Sequence, residues 1–125
     1  MSNNPTCACG GAPTMIFPCS GGSDVGALAD LAARQITRDG SGKMYCLAGI
    51  GGRVSGILAS TESAAKILAI DGCPLNCAKK TLELAGFSGF EHLCLADIGF
   101  QKSQSPATPE NVAQVAQATA LKLAG

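Results

Sequence analysis

The apolar positions of the chain fall into short continuous runs and longer stretches of helical spacing, in alternation. Thr14-Met-Ile-Phe17 is a brief apolar run ended by Pro18-Cys19-Ser20-Gly21-Gly22, which predicts a buried strand feeding a loop. Ser23 or Asp24 can N-cap the next segment, where Val25, Leu28, Ala32 and Ile36 recur at helical spacing until Gly40-Ser-Gly42 breaks it. The alternation then repeats. Lys43-Met-Tyr-Cys-Leu47 is strand-like and runs into a second glycine loop, Gly49-Ile-Gly-Gly52. A helix over about Val54 to Ala59 follows, and then a short turn capped by Ser60 or Thr61. Lys66-Ile-Leu-Ala-Ile70 is a third strand, ending at Asp71-Gly72. Pro74 suits a first helical position, and Leu75, Ala78, Leu82 and Ala85 make an apolar stripe closed by Gly86. His92-Leu-Cys-Leu-Ala96 predicts a fourth strand. Thr108-Pro109-Glu110 opens a last helix with Val112, Val115, Ala116, Thr119 and Leu123 on one face.

Strands alternating with helices imply parallel βαβ units, right-handed crossovers and helices on both faces of the sheet. The expected fold is therefore an α/β domain, a small three-layer (αβα) Rossmann-like unit with about four parallel strands. It takes up residues 11–125, after a Cys-containing lead-in over residues 1–10. In such sheets the functional crevice lies at the carboxyl ends of the strands.

Length and charge narrow the function. A chain of 125 residues is one domain's worth and large enough to fold without staples. Nine basic and nine acidic residues cancel. With a pI near 6.5 there is no electrostatic footprint for nucleic acid or for an anionic membrane. Only 14% of residues are charged and 4% aromatic, so bulk comes from Ala, Gly and aliphatics. Met1-Ser-Asn-Asn-Pro-Thr has neither a basic nor an apolar leader region, and no stretch approaches the ~18 apolar residues of a membrane span. The expected compartment is the cytoplasm, where thiols stay reduced.

Against that plain background stand seven Cys and a single His. Cys19, Cys46 and Cys73 are separated by 27 residues each time, one βα unit per step. Equal placement in successive units puts all three on the carboxyl edge of the sheet, and Cys77 shares a helix face with Cys73 if that helix begins at Pro74. Four thiols from three loops match what a tetrahedral zinc site requires. Helix starts after Cys19 and Cys73 would bring positive dipole ends near the sulfurs, and nearby glycines would let backbone N–H groups approach them. The spacing departs from the C-x2-C knuckle, so redox thiols and small buried hydrophobes stay open as readings.

Ile70-Asp71-Gly72-Cys73-Pro74-Leu75-Asn76-Cys77-Ala78-Lys79-Lys80 resembles the DGC-domain family of proposed zinc-binding proteins, named for the tripeptide found here as Asp71-Gly72-Cys73. Pro18-Cys19-Ser20-Gly21 with Asp24-Val25-Gly26, and Cys46-Leu47-Ala48-Gly49-Ile50-Gly51-Gly52, look like two further blocks of that family in the same order. The likeness runs from about Cys9 to the last helix. It implies a small bacterial or archaeal protein whose proposed chelators fall on Cys19, Cys46, Cys73 and Cys77, and it implies no settled reaction.

Other residues bear on the site more loosely. Cys7 and Cys9 form a C-x-C that could be a second metal clamp, against a plain exposed terminus. Cys94 reads as a core filler, and His92 as lying at the amino edge, away from the thiols. Asp71 is expected to orient a loop N–H or to act as an acceptor near the site. Ser20, Gly21, Gly49 and Gly51 could cradle an oxyanion at helix starts, though neither loop is a Walker A or a G-x-G-x-x-G. Three functions follow. The first is a zinc-binding domain in metal sensing, storage or delivery. The second is a thiol-dependent enzyme (a reductase, sulfur carrier or oxyanion-processing protein) with Cys19 or Cys73 as nucleophile. The third is a small-anion or cofactor module using the glycine loops. Whether the chain is an enzyme stays open.

Overall fold

The structure, a computed structural model, describes residues 12–124. In chain order its elements are β1 (Thr14–Pro18), α1 (Asp24–Asp39), β2 (Lys43–Met44), α2 (Leu47–Gly51) and α3 (Ser55–Glu62). There follow β3 (Lys66–Asp71), α4 (Cys77–Leu84), β4 (Glu91–Cys94), a 3-10 turn (Leu95–Ile98) and α5 (Pro109–Ala124). The four strands form one all-parallel sheet in the order β2-β1-β3-β4. The expected three-layer α/β architecture is the one observed.

The pleat sorts the strand residues between two cores. Ile16, Leu68, Ile70 and Leu93 face one side, where the apolar stripe of α1 (Val25, Leu28, Ala32, Ile36) and Val115 of α5 cover them. Met15, Phe17 and Ala69 face the other, under Ile50 of α2 and Ala78 and Leu82 of α4. Fully burying each large member, such as Phe17, Leu68 or Leu82, contributes about 1.5–3 kcal/mol. Because β1 steps to β2 in one direction and β2 to β3 to β4 in the other, right-handed crossovers place α1 opposite α2, α3 and α4.

Local structure departs from the expected pattern in four places. The second strand stops at Met44, and Cys46 becomes the N-cap of α2. The glycine run that reads as a loop is thus helical: Gly49 and Ile50 both donate to the Cys46 carbonyl. Met44 N–H donates outward to Thr37 Oγ1 at 2.7 Å, which closes a backbone donor on the edge strand. The segment after it is one helix through Glu62, rather than a helix and a separate turn. The fourth helix starts at Cys77, not Pro74, because Asn76 adopts a left-handed conformation (φ 57°) and Asn76 N–H closes a turn onto the Cys73 carbonyl. Cys73 therefore lies outside the helix, and the expected shared face with Cys77 is lost. Finally, β4 ends at Cys94, with Leu95 and Ala96 in the 3-10 turn. Among the described residues no helix is long and apolar enough to cross a membrane.

Candidate functional site

The order in which strands are added reverses between the two central, parallel strands β1 and β3. The loop after β1 leads to α1 on one face, and the loop after β3 leads to α4 on the other, so a crevice opens at their carboxyl ends. Cys19 and Cys73 flank it. Cys19 extends the β1–β3 ladder by one bond, its N–H donating to the Ile70 carbonyl at 2.9 Å, and is half-buried against both cores. Ser20 then turns left-handed (φ 53°), and its hydroxyl is committed to Asp30 Oδ1 at 2.7 Å. Burial pushes the Asp30 carboxyl up, but hydrogen bonds from Arg34 and Ser20 and the Arg34 charge outweigh it and hold the group below its ordinary value.

Gly72 passes so close to the first turn of α1 that a Cβ there would lie 2.7 Å from the Val25 carbonyl carbon. Cys73 follows, half-buried, and lines a cavity of about 570 Å³ with Gly72, Leu75, Ala96, Gln101 and Lys102. Cys77 is exposed at the first position of α4, and Cys46 is exposed ahead of α2.

Asp71 is 1% exposed and organises this edge. Its Oδ1 accepts from Ala78 N–H at 2.7 Å, its Oδ2 from Lys79 N–H at 3.1 Å, and His92 Nε2 lies 2.8 Å from Oδ2. The carboxylate thus supplies the cap that Asn76 does not, for Asn76 makes no side-chain cap bond and its Oδ1 is buried without a partner. The N–H groups that Asp71 holds belong to the first turn of α4, not to the loop expected from the sequence. His92 does not sit away from the site. Its register is the reason: β4 pairs His92 with Ala69 and Cys94 with Asp71, so the whole of β4 lies level with the carboxyl half of β3. Ala69, Asp71 and His92 then share the sheet face under α4.

Cys94 is buried, as expected of a filler, and burial together with the Asp97 and Asp71 carboxylates pushes its thiol above the ordinary value. Gly49 is buried inside α2 with its N–H donating to Cys46, and Gly51 closes that helix, so neither forms the expected open cradle. Gly21 is exposed beside Cys19. Cys7 and Cys9 lie outside the described residues. Among the described residues, no three His, Cys, Asp or Glu side chains stand together as a group that could hold a metal ion. Sequence reasoning missed His92, Gln101 and Lys102. Period two does put Asp71 on the face of Ala69, but the sequence carries no signal for the stagger of β4.

The DGC domain model matches residues 15–120. Over 88 residues, 70% of this chain and 67% of the relative, the sequence is 38% identical to the anaerobic and virulence modulator AnvM of Pseudomonas aeruginosa. No solved structure matches the chain.

Proposed function

Because the chain belongs to the DGC-domain family, we propose that the carboxyl edge of its sheet is a thiol site for a soft metal ion, zinc, held by Cys19, Cys46, Cys73 and Cys77. One observation carries the reading: Cys19 and Cys73 leave the two strands that flank the crevice, while Cys46 and Cys77 begin the neighbouring helices α2 and α4. An all-sulfur donor set suits a tetrahedral ion with bonds of about 2.3 Å. Asp71 is not a donor in this scheme, since both its oxygens already hold the start of α4. No three donors are grouped as folded, so the scheme requires the exposed Cys46 and Cys77 segments to close toward Cys19 and Cys73. The free energy of that closure is coupled to binding and reads out as metal-dependent stability.

A site that binds by closing suits sensing better than storage. The Pseudomonas relative is named a modulator, and carrying that word to this chain favours the same role. The reading places the protein in the cytoplasm, where the thiols remain available. Zinc per chain, measured on protein purified under reducing conditions without chelator, tests it. The expected result is about one equivalent, lost in Cys73→Ser along with the zinc-dependent rise in Tm. Less than half an equivalent, with Cys19→Ser as stable as wild type, would sink it.

A second reading rests on the cavity at Cys73. A half-buried thiol beside Lys102 and Gln101 is placed to attack a small anionic electrophile. Alkylation of metal-free protein decides: Cys73 reacting no faster than a free cysteine removes this reading.

A further inference from the structure

A second cleft, of about 600 Å³, opens between the last turns of α1 and the end of β2. Arg34, Thr37, Arg38, Met44, Tyr45 and Cys46 line it. Arg34 and Arg38 stand four residues apart on α1, so their side chains share a helix face. Like charges at that spacing repel, while the place of Arg38 in the last turn of α1 suits the negative end of the helix dipole. Asp30 offsets Arg34, with Nε to Oδ2 at 2.7 Å, and among the described residues Arg38 has no ion-pair partner. Lys43 adds a third positive charge at the same end, its Nζ 6.0 Å from the centre of the Tyr45 ring. Asp39, exposed next to Arg38, is the other acid nearby. The floor is otherwise apolar, from Met44 and the Tyr45 ring, which is itself fixed edge-on against Phe17.

Guanidinium forks over an apolar floor select a planar or tetrahedral oxyanion carried on a small organic body. We propose that this cleft binds a small carboxylate- or phosphate-bearing molecule, with Arg38 and Arg34 on its charge, Tyr45 and Met44 against its body, and the Cys46 thiol on its rim. The site is distinct from the glycine loops and from the crevice between β1 and β3. It stands whether or not the thiols bind metal. If they do, the anion docks beside one of the donors and biases the closure of that segment.

The test uses the full chain, reduced and metal-free, so that the zinc reading does not enter. Cys46 is alkylated with iodoacetate and with iodoacetamide; in both the sulfur displaces iodide, and the reagents differ in one negative charge. The expected ratio of the two rates at Cys46 is roughly tenfold above that of a neutral cysteine peptide at low salt. It should fall to the peptide's value in an Arg34→Gln/Arg38→Gln variant. Arg34 is 58% exposed, so that variant is expected to keep the wild-type Tm. A ratio equal to the peptide's, or one that survives the double substitution, overturns the proposal. Inorganic phosphate and citrate form the second arm. Each is titrated for saturable protection of Cys46 from iodoacetamide. Protection by phosphate alone assigns a phosphate ligand and protection by citrate alone a carboxylate. Protection by neither, at millimolar concentration, also overturns it.

Discussion

Two oxygens of Asp71 receive three polar hydrogens, and that count explains why a carboxylate can be buried here. Ala78 N–H, Lys79 N–H and the His92 ring replace the water it gave up, where a buried carboxylate without partners would be costly. Asp71→Asn puts an NH2 donor against donors on one side. The expected loss is about 1–3 kcal/mol of unfolding free energy, measured by urea denaturation. His92→Gln should lose less than His92→Leu, because only the amide can still bond to the carboxylate. The tripeptide at the heart of the family signature thereby separates into three tasks. Asp71 caps α4, Gly72 lets the strand end pass α1, and Cys73 places a half-buried thiol on the wall of the cavity beside Gln101 and Lys102. The sequence alone made these residues conspicuous and did not show what each one does. A cap supplied from seven residues away leaves no local spacing to read.

At the scale of elements, α1 and α5, whose apolar stripes run unbroken, were the legible helices. The stripe of α1 begins at Ser23, whose hydroxyl accepts from Gly26 N–H, and ends at Gly40, whose φ of 81° suits glycine. The misread stretches are those where apolar residues run on without period. Tyr45-Cys46-Leu47 continues the strand's composition into α2, and nothing but the turn of the backbone separates them. Close approach between elements was equally hidden. A methyl group at Gly72 would meet the Val25 backbone, its carbonyl carbon at 2.7 Å and its oxygen at 2.8 Å, and a main chain cannot yield as a side-chain tip can. Gly72→Ala is therefore expected to cost about 1–3 kcal/mol. Gly56→Ala, in α3 with nothing within 4 Å of the added carbon, should instead stabilise by about 0.5–1 kcal/mol. Thermal unfolding of the two variants checks the contrast; equal Tm values would show that the contact is relieved by movement.

For the whole molecule, Asp24 ties the beginning of the first helix to the segment ahead of the last. Ser103 N–H and Ser105 N–H donate to it at 2.9 Å each, and those bonds, Ser103's foremost, hold its carboxyl below the ordinary range. A depressed carboxyl stabilises the fold in its charged form. Its contribution is complete above the unfolded value of about 3.9 and is lost as pH falls through the lower folded value. Asp24→Asn should thus lower the urea midpoint at pH 6, with the gap to wild type closing below about pH 4. A gap that persists at acid pH would assign the effect to shape rather than charge. The three-layer plan itself was readable from the alternation of periods, whereas the strand order was not, since nothing local says on which side of β1 a later strand inserts. That order also has a consequence in time. Thr14 pairs with Lys66 and Pro18 with Ile70, so the central ladder closes a loop that contains α1, β2, α2 and α3. No hairpin can form first in an all-parallel sheet, and such long closures are slow. During synthesis, Cys19 and Cys46 therefore emerge and wait, unshielded, until β3 has left the ribosome with Cys73 close behind. Thiols that end up on separate loops of the finished fold are, for the nascent chain, unshielded reactive groups that depend on a reducing surrounding.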